Sequence, residues 1–422
     1  MNFRSGLRFA PFFLLMGACT ESPKTPAETQ TPQAPQAPAV DTARPAPAAP
    51  RPAPAATADT AAAPNAPAPT SRPAVIAAPD TAHVQDVAAY LAALPPSQKS
   101  SLKPLTATPA YQTFAKQQEK SWQKYRLTHT NRMTRWATRE LDSIQPASPT
   151  IFYPFSGPDF LNATTMFPTS TTYVLFGLEP VGSIPPRAVL ENPQIYTSVN
   201  KSLWSVLNFS FFRTNDMAID LKSVQLDGAT PLLMLFAVRT GHQITALRRV
   251  QLSASGELQP ADSAANTTPG VEIKLRAADG RPKTLYYFSA DISDGHLATH
   301  PAPLAYIRSL GPLTTYVKSA SYLMHKAYFS KIRNLVLARS NYLLQDDSGV
   351  AMKYFPARAW HFTYYGTYRR PINLFAKHYQ PALTTAYVDS LHRPAPLPFG
   401  TGYNWRQTDS NHLLARRRQP VR

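Results

Sequence analysis

The chain has 422 residues, of which 43 are proline and one is cysteine, and a formal net charge of +18. A single cysteine rules out an intramolecular disulfide and any zinc site built on paired cysteines, so apolar burial must supply the stability. A basic balance suits anionic lipid surfaces, acidic polymers or nucleic acid. Here the charge is spread along the chain and gathers only at Arg416, Arg417, Arg418 and Arg422.

Arg4 and Arg8 precede an apolar stretch from Phe9 to Met16, and Gly17 and Ala18 lead into Cys19. A charged start, a short apolar run and small residues before a cleavage point make a secretory signal. The run is too short for a spanning helix, which needs about 20 residues, and Pro11 interrupts it. Met16-Gly17-Ala18-Cys19 resembles the lipobox of bacterial lipoproteins, in which the cysteine is lipidated and becomes the first mature residue. Met16 departs from the Leu, Val or Ile favoured there. The resemblance implies attachment to the bacterial cell envelope through Cys19. Thr20, where an Asp would retain the protein at the inner membrane, implies the outer membrane. Loss of the signal lowers the charge to +16, and the exported address makes nucleic acid an unexpected partner.

From Glu21 to about Asp80 the sequence is almost all Pro, Ala and Thr, without an aromatic residue. Such a segment buries too little apolar surface to offset its ordering entropy and is expected to be disordered. Its prolines favour extended polyproline II, so about 60 residues can reach about 180 Å. The expected organisation is a signal over 1–18, a lipidated cysteine and tether over 19–80, a globular domain over 81–395, and a basic frayed tail over 396–422.

Asp80 is placed to cap a short helix carrying Val84, Val87, Ala88 and Leu91. A longer helical pattern runs from Pro109 to Asp142, with Tyr111, Phe114, Trp122, Tyr125, Met133, Trp136 and Leu141 near one face. Strands are expected at Ile151–Phe155 and Tyr173–Leu178, and a helix over Tyr196–Phe212. Strands follow at Leu232–Val238, Gln243–Leu252, Val271–Leu275 and Thr284–Phe288, punctuated by Gly241, Gly256 and Gly280. The last third returns to helices at Leu304–Leu310, Thr315–Tyr328 and Ser330–Tyr342. Alternation at Trp360, Phe362 and Tyr364 marks a strand, and short helices end the domain around Ile372–Tyr379 and Pro381–Leu391. Helices flanking a block of sequential strands predict an α+β fold with an antiparallel or mixed sheet.

Three loops carry chemistry. In Phe155-Ser156-Gly157-Pro158-Asp159-Phe160 a strand ends in a turn and presents a carboxylate, as a functional group or as an acceptor of turn amides. Asp291, Asp294, His296 and His300 offer oxygen and imidazole ligands, but their spacing fails the EF-hand pattern, and a turn explains them equally well. The third region combines Lys318-Ser319-Ala320-Ser321-Tyr322 with Gln345-Asp346-Asp347-Ser348-Gly349. On a helix, Lys318, Ser321, Tyr322 and His325 share one face. Asp346 and Asp347 can orient a histidine or shift a neighbour's pKa, and Lys318 with Asp347 is the expected ion pair. There is no Walker loop, G-x-G-x-x-G, H-E-x-x-H or G-x-S-x-G, which removes the commonest nucleotide, zinc and serine-hydrolase readings.

Tyr153–Phe160, Gly177–Gly182, Phe211–Thr214, Lys318–Tyr322 and Gln345–Gly349 resemble the hallmark segments of an uncharacterised family of exported bacterial proteins, over about residues 110 to 390. The resemblance implies neither an activity nor a fold, and no cofactor is expected. Two functions stay open. One is a binding or structural module that engages a protein, a glycan or an anionic envelope polymer. The other is a hydrolase in which Asp159, Lys318, His325, Asp346 and Asp347 converge on one pocket. No metal ligand set is expected.

Overall fold

Thr150–Tyr153 forms strand β1, and it is buried on both sides: Ile151 and Tyr153 enter one apolar core, Phe152 another. Alternating side chains and two-sided burial belong to a strand in the middle of a covered sheet. The computed structural model describes residues 80–144, 149–210, 226–261, 267–389 and 393–421. They fall within one compact unit, Pro73–Arg422. The signal, Cys19 and the tether up to residue 79 lie outside the described residues.

The other strands in chain order are β2 Thr172–Gly177, β3 Gln243–Leu252, β4 Leu258–Pro260, β5 Thr268–Arg276, β6 Pro282–Ser289, β7 Leu313–Val317, β8 Ser340–Gln345, β9 Trp360–Gly366 and β10 Asn411–Arg417. They pair as one mixed sheet in the order β4-β3-β5-β6-β2-β1-β7-β8-β10-β9. The middle five, β6-β2-β1-β7-β8, run parallel. Antiparallel strands extend the sheet on both sides.

The helices are α1 Thr81–Leu91, α2 Lys103–Thr106, α3 Pro109–Tyr125, α4 Asn131–Glu140, α5 Phe160–Met166, α6 Arg187–Glu191, α7 Gln194–Phe209, α8 Thr230–Arg239, α9 His296–Thr299, α10 Ala302–Ser309, α11 Ser330–Arg339 and α12 Pro381–Val388. Capping follows the sequence: Asp80 accepts the Ala82 amide at 3.0 Å, and Thr108 accepts the Tyr111 amide at 3.3 Å. A π-turn, Arg126–Thr130, joins α3 to α4 within the single long pattern expected there. Buried side chains of α1, α3, α4, α5, α7 and α8 share the core of Ile151 and Tyr153, whereas α10 and α11 share that of Phe152.

The fold is therefore α+β, with a doubly wound parallel centre inside a mixed sheet. The chain moves from β1 through β2 to β6 in one direction, using helices of the first core. It then returns to place β7 and β8 on the other side of β1, using helices of the second. Strand order reverses between β1 and β7, and in such sheets the crevice at the strands' carboxyl ends is where ligands bind.

Three expected elements change. Thr230–Arg239 is a helix, not a strand. Its apolar run is buried all round, which erases the period that separates the two, and Pro231 in the first turn favours helix. Leu313–Val317 is a strand, not the start of a helix. It is buried throughout and fills the middle of the parallel sheet, so the spacing of Tyr316, Ala320 and Leu323 is coincidental. The end of the chain is not frayed: β10 pairs between β8 and β9. There Arg417 lies over the Trp360 ring at 4.7 Å and Arg416 donates to Ser143 at 3.0 Å. Arginine stems cover apolar surface while their heads find acceptors, so a basic composition did not mean a loose end.

Candidate ligand-binding cleft

Asp159 ends the turn after β1 and caps α5, accepting the Asn162 amide at 3.2 Å and its side-chain nitrogen at 2.8 Å. Tyr153 at the end of β1 donates to the same carboxylate at 3.0 Å. Lys318, the first residue after β7, reaches across the switch point and places Nζ 3.0 Å from Asp159 Oδ2. Both side chains are almost fully buried, and the ammonium also donates to the Ser210 carbonyl. Lys318 therefore pairs with Asp159, not with Asp347 as expected.

The backbone around this pair is strained. Among the described residues, six that are not glycine have left-handed φ: Ala93, Phe155, Ser210, Ser319, Ser321 and Tyr322. All but Ala93 belong to the loops meeting at Lys318. Such conformations cost about 1–3 kcal/mol each and persist where the surroundings over-determine them, typically at functional sites.

Asp346 and Asp347 brace the loop from behind. Asp346 accepts the Ser319 amide at 2.8 Å and the Ser348 amide at 2.9 Å, and Ser348 Oγ accepts the Ala320 amide at 2.8 Å. Tyr322 donates its hydroxyl to Asp347, whose other oxygen accepts Asn411 Nδ2 at 3.0 Å. Burial raises both carboxyl pKa values above the usual range. Burial, then the charge of Asp346, pushes Asp347 up to about 7. Neither aspartate lines the cleft.

His325 does not reach the cleft either. Residues 318–322 form a turn rather than a helix, so the expected shared face of Lys318, Ser321, Tyr322 and His325 does not exist. The His325 ring packs edge-on against Tyr322 at 5.0 Å and His378 at 5.4 Å. Burial lowers its pKa to about 4, which suits an uncharged packing residue.

The cleft itself has a volume of about 290 Å³ and opens over the ends of β1, β2, β6 and β7. Phe155, Phe176, Leu323 and Phe329 supply apolar walls, and Ser156, Ser319 and Ser321 supply hydroxyls. Ser319 Oγ is buried and has no hydrogen-bond partner among the described residues. Lys318 is the only cation among the described lining residues, and Asp159 already neutralises it.

A carboxyl that sequence reasoning passed over completes the lining. Glu179 follows β2, is 6 % exposed and receives the Tyr287 hydroxyl at 3.2 Å. Burial raises its pKa above the ordinary carboxylate range. Two glycines make room for it. A Cβ on Gly177 would lie 2.4 Å from Glu179 Oε2 and one on Gly157 3.2 Å from the same atom. The signal was present in Gly177-Leu178-Glu179-Pro180, where the glutamate reads as ordinary turn polarity.

Asp291 also lines the cleft, but the carboxylates of its loop do not converge. Asp294 accepts the Ser330 and Lys331 amides at 2.9 and 2.8 Å and so caps α11. No group of three or more His, Cys, Asp or Glu among the described residues is arranged to hold a metal ion. Comparison with family models, with curated proteins and with solved structures found no match for the chain.

Proposed function

We propose that the protein is an envelope lipoprotein that binds a small, neutral, polar ligand in this cleft. The signal-like leader, the lipobox-like Met16–Cys19 and the Pro/Ala-rich tether support attachment through lipidated Cys19, with the outer membrane as destination. The observation that carries the binding reading is the concentration of left-handed backbone at Phe155, Ser210, Ser319, Ser321 and Tyr322 around one buried ion pair.

The lining favours binding over hydrolysis. A hydrolytic nucleophile needs a base in contact, and Ser319 Oγ touches none among the described residues. His325, Asp346 and Asp347 stand outside the cleft. A cleft whose single cation among the described lining residues is already paired also suits a hydroxyl-bearing neutral ligand better than an anionic polymer, despite the basic chain.

Native mass spectrometry of the full chain, extracted from its envelope, tests the reading. A retained small molecule that disappears in Ser319→Ala is the expected result; an empty cleft in both proteins would overturn it. Replacement of Cys19 by Ala is expected to abolish acylation and release the protein from the membrane fraction.

A further inference from the structure

A second cavity, of about 250 Å³, adjoins the first and shares Leu178, Ala290 and Asp291 with it. Leu178 is 64 % exposed, so the boundary is a ridge at the surface rather than a wall. Single ligand sites enclose roughly 300–1,000 Å³. Each chamber falls just short of that range, and the two together lie inside it.

The second chamber has its own chemistry. Thr268 and Ser289 bring hydroxyls from the paired wing of the sheet, and Asp291 brings a carboxylate from the ridge. His296 and His300 stand one turn apart with their rings stacked at 4.2 Å, 11° from parallel. Pro269 and Leu178 add apolar surface. No lysine or arginine is among the described lining residues.

We infer that the ligand is a linear, neutral oligosaccharide, with one sugar unit in each chamber and the linkage crossing the Leu178–Asp291 ridge. This rests on the binding reading above and deepens it. Sugars present both hydroxyls and apolar ring faces, and both chambers mix hydroxyl or carboxylate partners with apolar surface. Peptides bind strands by adding to a sheet edge. This groove lies across strand ends, while the sheet's edges are β4 and β9 at its far sides.

Calorimetric titration of the full chain with N-acetylglucosamine and its β-1,4-linked dimer, trimer and tetramer tests the inference. The dimer is expected to bind about tenfold or more tightly than the monomer, with little further gain for longer chains. His300→Ala is expected to remove that gain while monomer binding persists, because His300 belongs to the second chamber alone. Equal affinity for monomer and dimer would overturn the two-chamber inference and leave the binding reading intact. So would a retained envelope molecule that is not a glycan. Failure of every sugar, together with a cleft empty by mass spectrometry, would end both.

Discussion

Lys318 Nζ and Asp159 Oδ2 meet at 3.0 Å, with both side chains almost fully buried. They join the first residue after β7 to the cap of α5, across the point where strand order reverses. Removing one partner of such a pair strands a buried charge and costs about 3–5 kcal/mol. Lys318→Met is expected to destabilise the protein by that order in urea unfolding. Lys318→Met combined with Asp159→Asn should recover part of the loss. Full recovery is not expected, because an asparagine cannot accept from both Tyr153 and Asn162 while keeping the cap.

Ser319 separates binding from stability. Its hydroxyl is buried without a partner among the described residues, while its amide serves Asp346. Ser319→Ala therefore removes no protein hydrogen bond and should move stability by no more than about 0.5 kcal/mol, with ligand binding weakened or lost. Ser319→Gly relieves the left-handed backbone and should melt higher than Ser319→Ala. Parallel calorimetry and thermal melts check both. A clear drop in melting for Ser319→Ala with binding intact would show that the hydroxyl is structural.

Much of the fold was legible because its periods were clean. The cap at Asp80, the aromatic stripe of α3 and α4, and the alternation of Trp360, Phe362 and Tyr364 all led to the elements found. Misreadings came where burial removes the period. Thr230–Arg239 and Leu313–Val317 are apolar on every side, so neither a helical nor a strand spacing is reliable there. The site was half legible. Asp159 and Lys318 were chosen for their chemistry, and strand order brought them together by a route that no local pattern carries. Asp346, Asp347 and His325 have the same chemistry but serve the scaffold. Glu179 was hidden because its importance depends on Gly157, Gly177 and Tyr287, which are distant in sequence or silent in composition.

Asp347 gives the protein a pH dependence of predictable sign. Its pKa is about 7 when folded and about 3.9 in an unfolded chain. Between those values the folded state holds the proton more tightly, so stability falls as pH rises from about 4 to about 7 and is level beyond. Asp346, also raised, contributes in the same direction. Asp347→Asn should flatten this slope and raise the melting temperature at pH 8 relative to pH 5, with Tyr322 and Asn411 still sharing a polar partner. Melting curves from pH 4 to 9 check it; an unchanged slope would assign the dependence elsewhere.

The glycine cradle of Glu179 makes the last prediction. At Gly177 an added Cβ would meet Glu179 Oε2 at 2.4 Å, Gly157 Cα at 2.8 Å and the Tyr287 hydroxyl at 2.8 Å. The carboxylate can swing away, but the Gly157 backbone cannot move without disturbing the strained turn at Phe155. Gly177→Ala should therefore cost about 1–3 kcal/mol and displace Glu179 from the cleft, weakening ligand binding as well. Combining it with Glu179→Ala should recover only part of the stability, since the clash with Gly157 remains. If the double variant regained wild-type stability, the crowding would lie wholly with the carboxyl, and the turn after β1 would be more compliant than its geometry indicates.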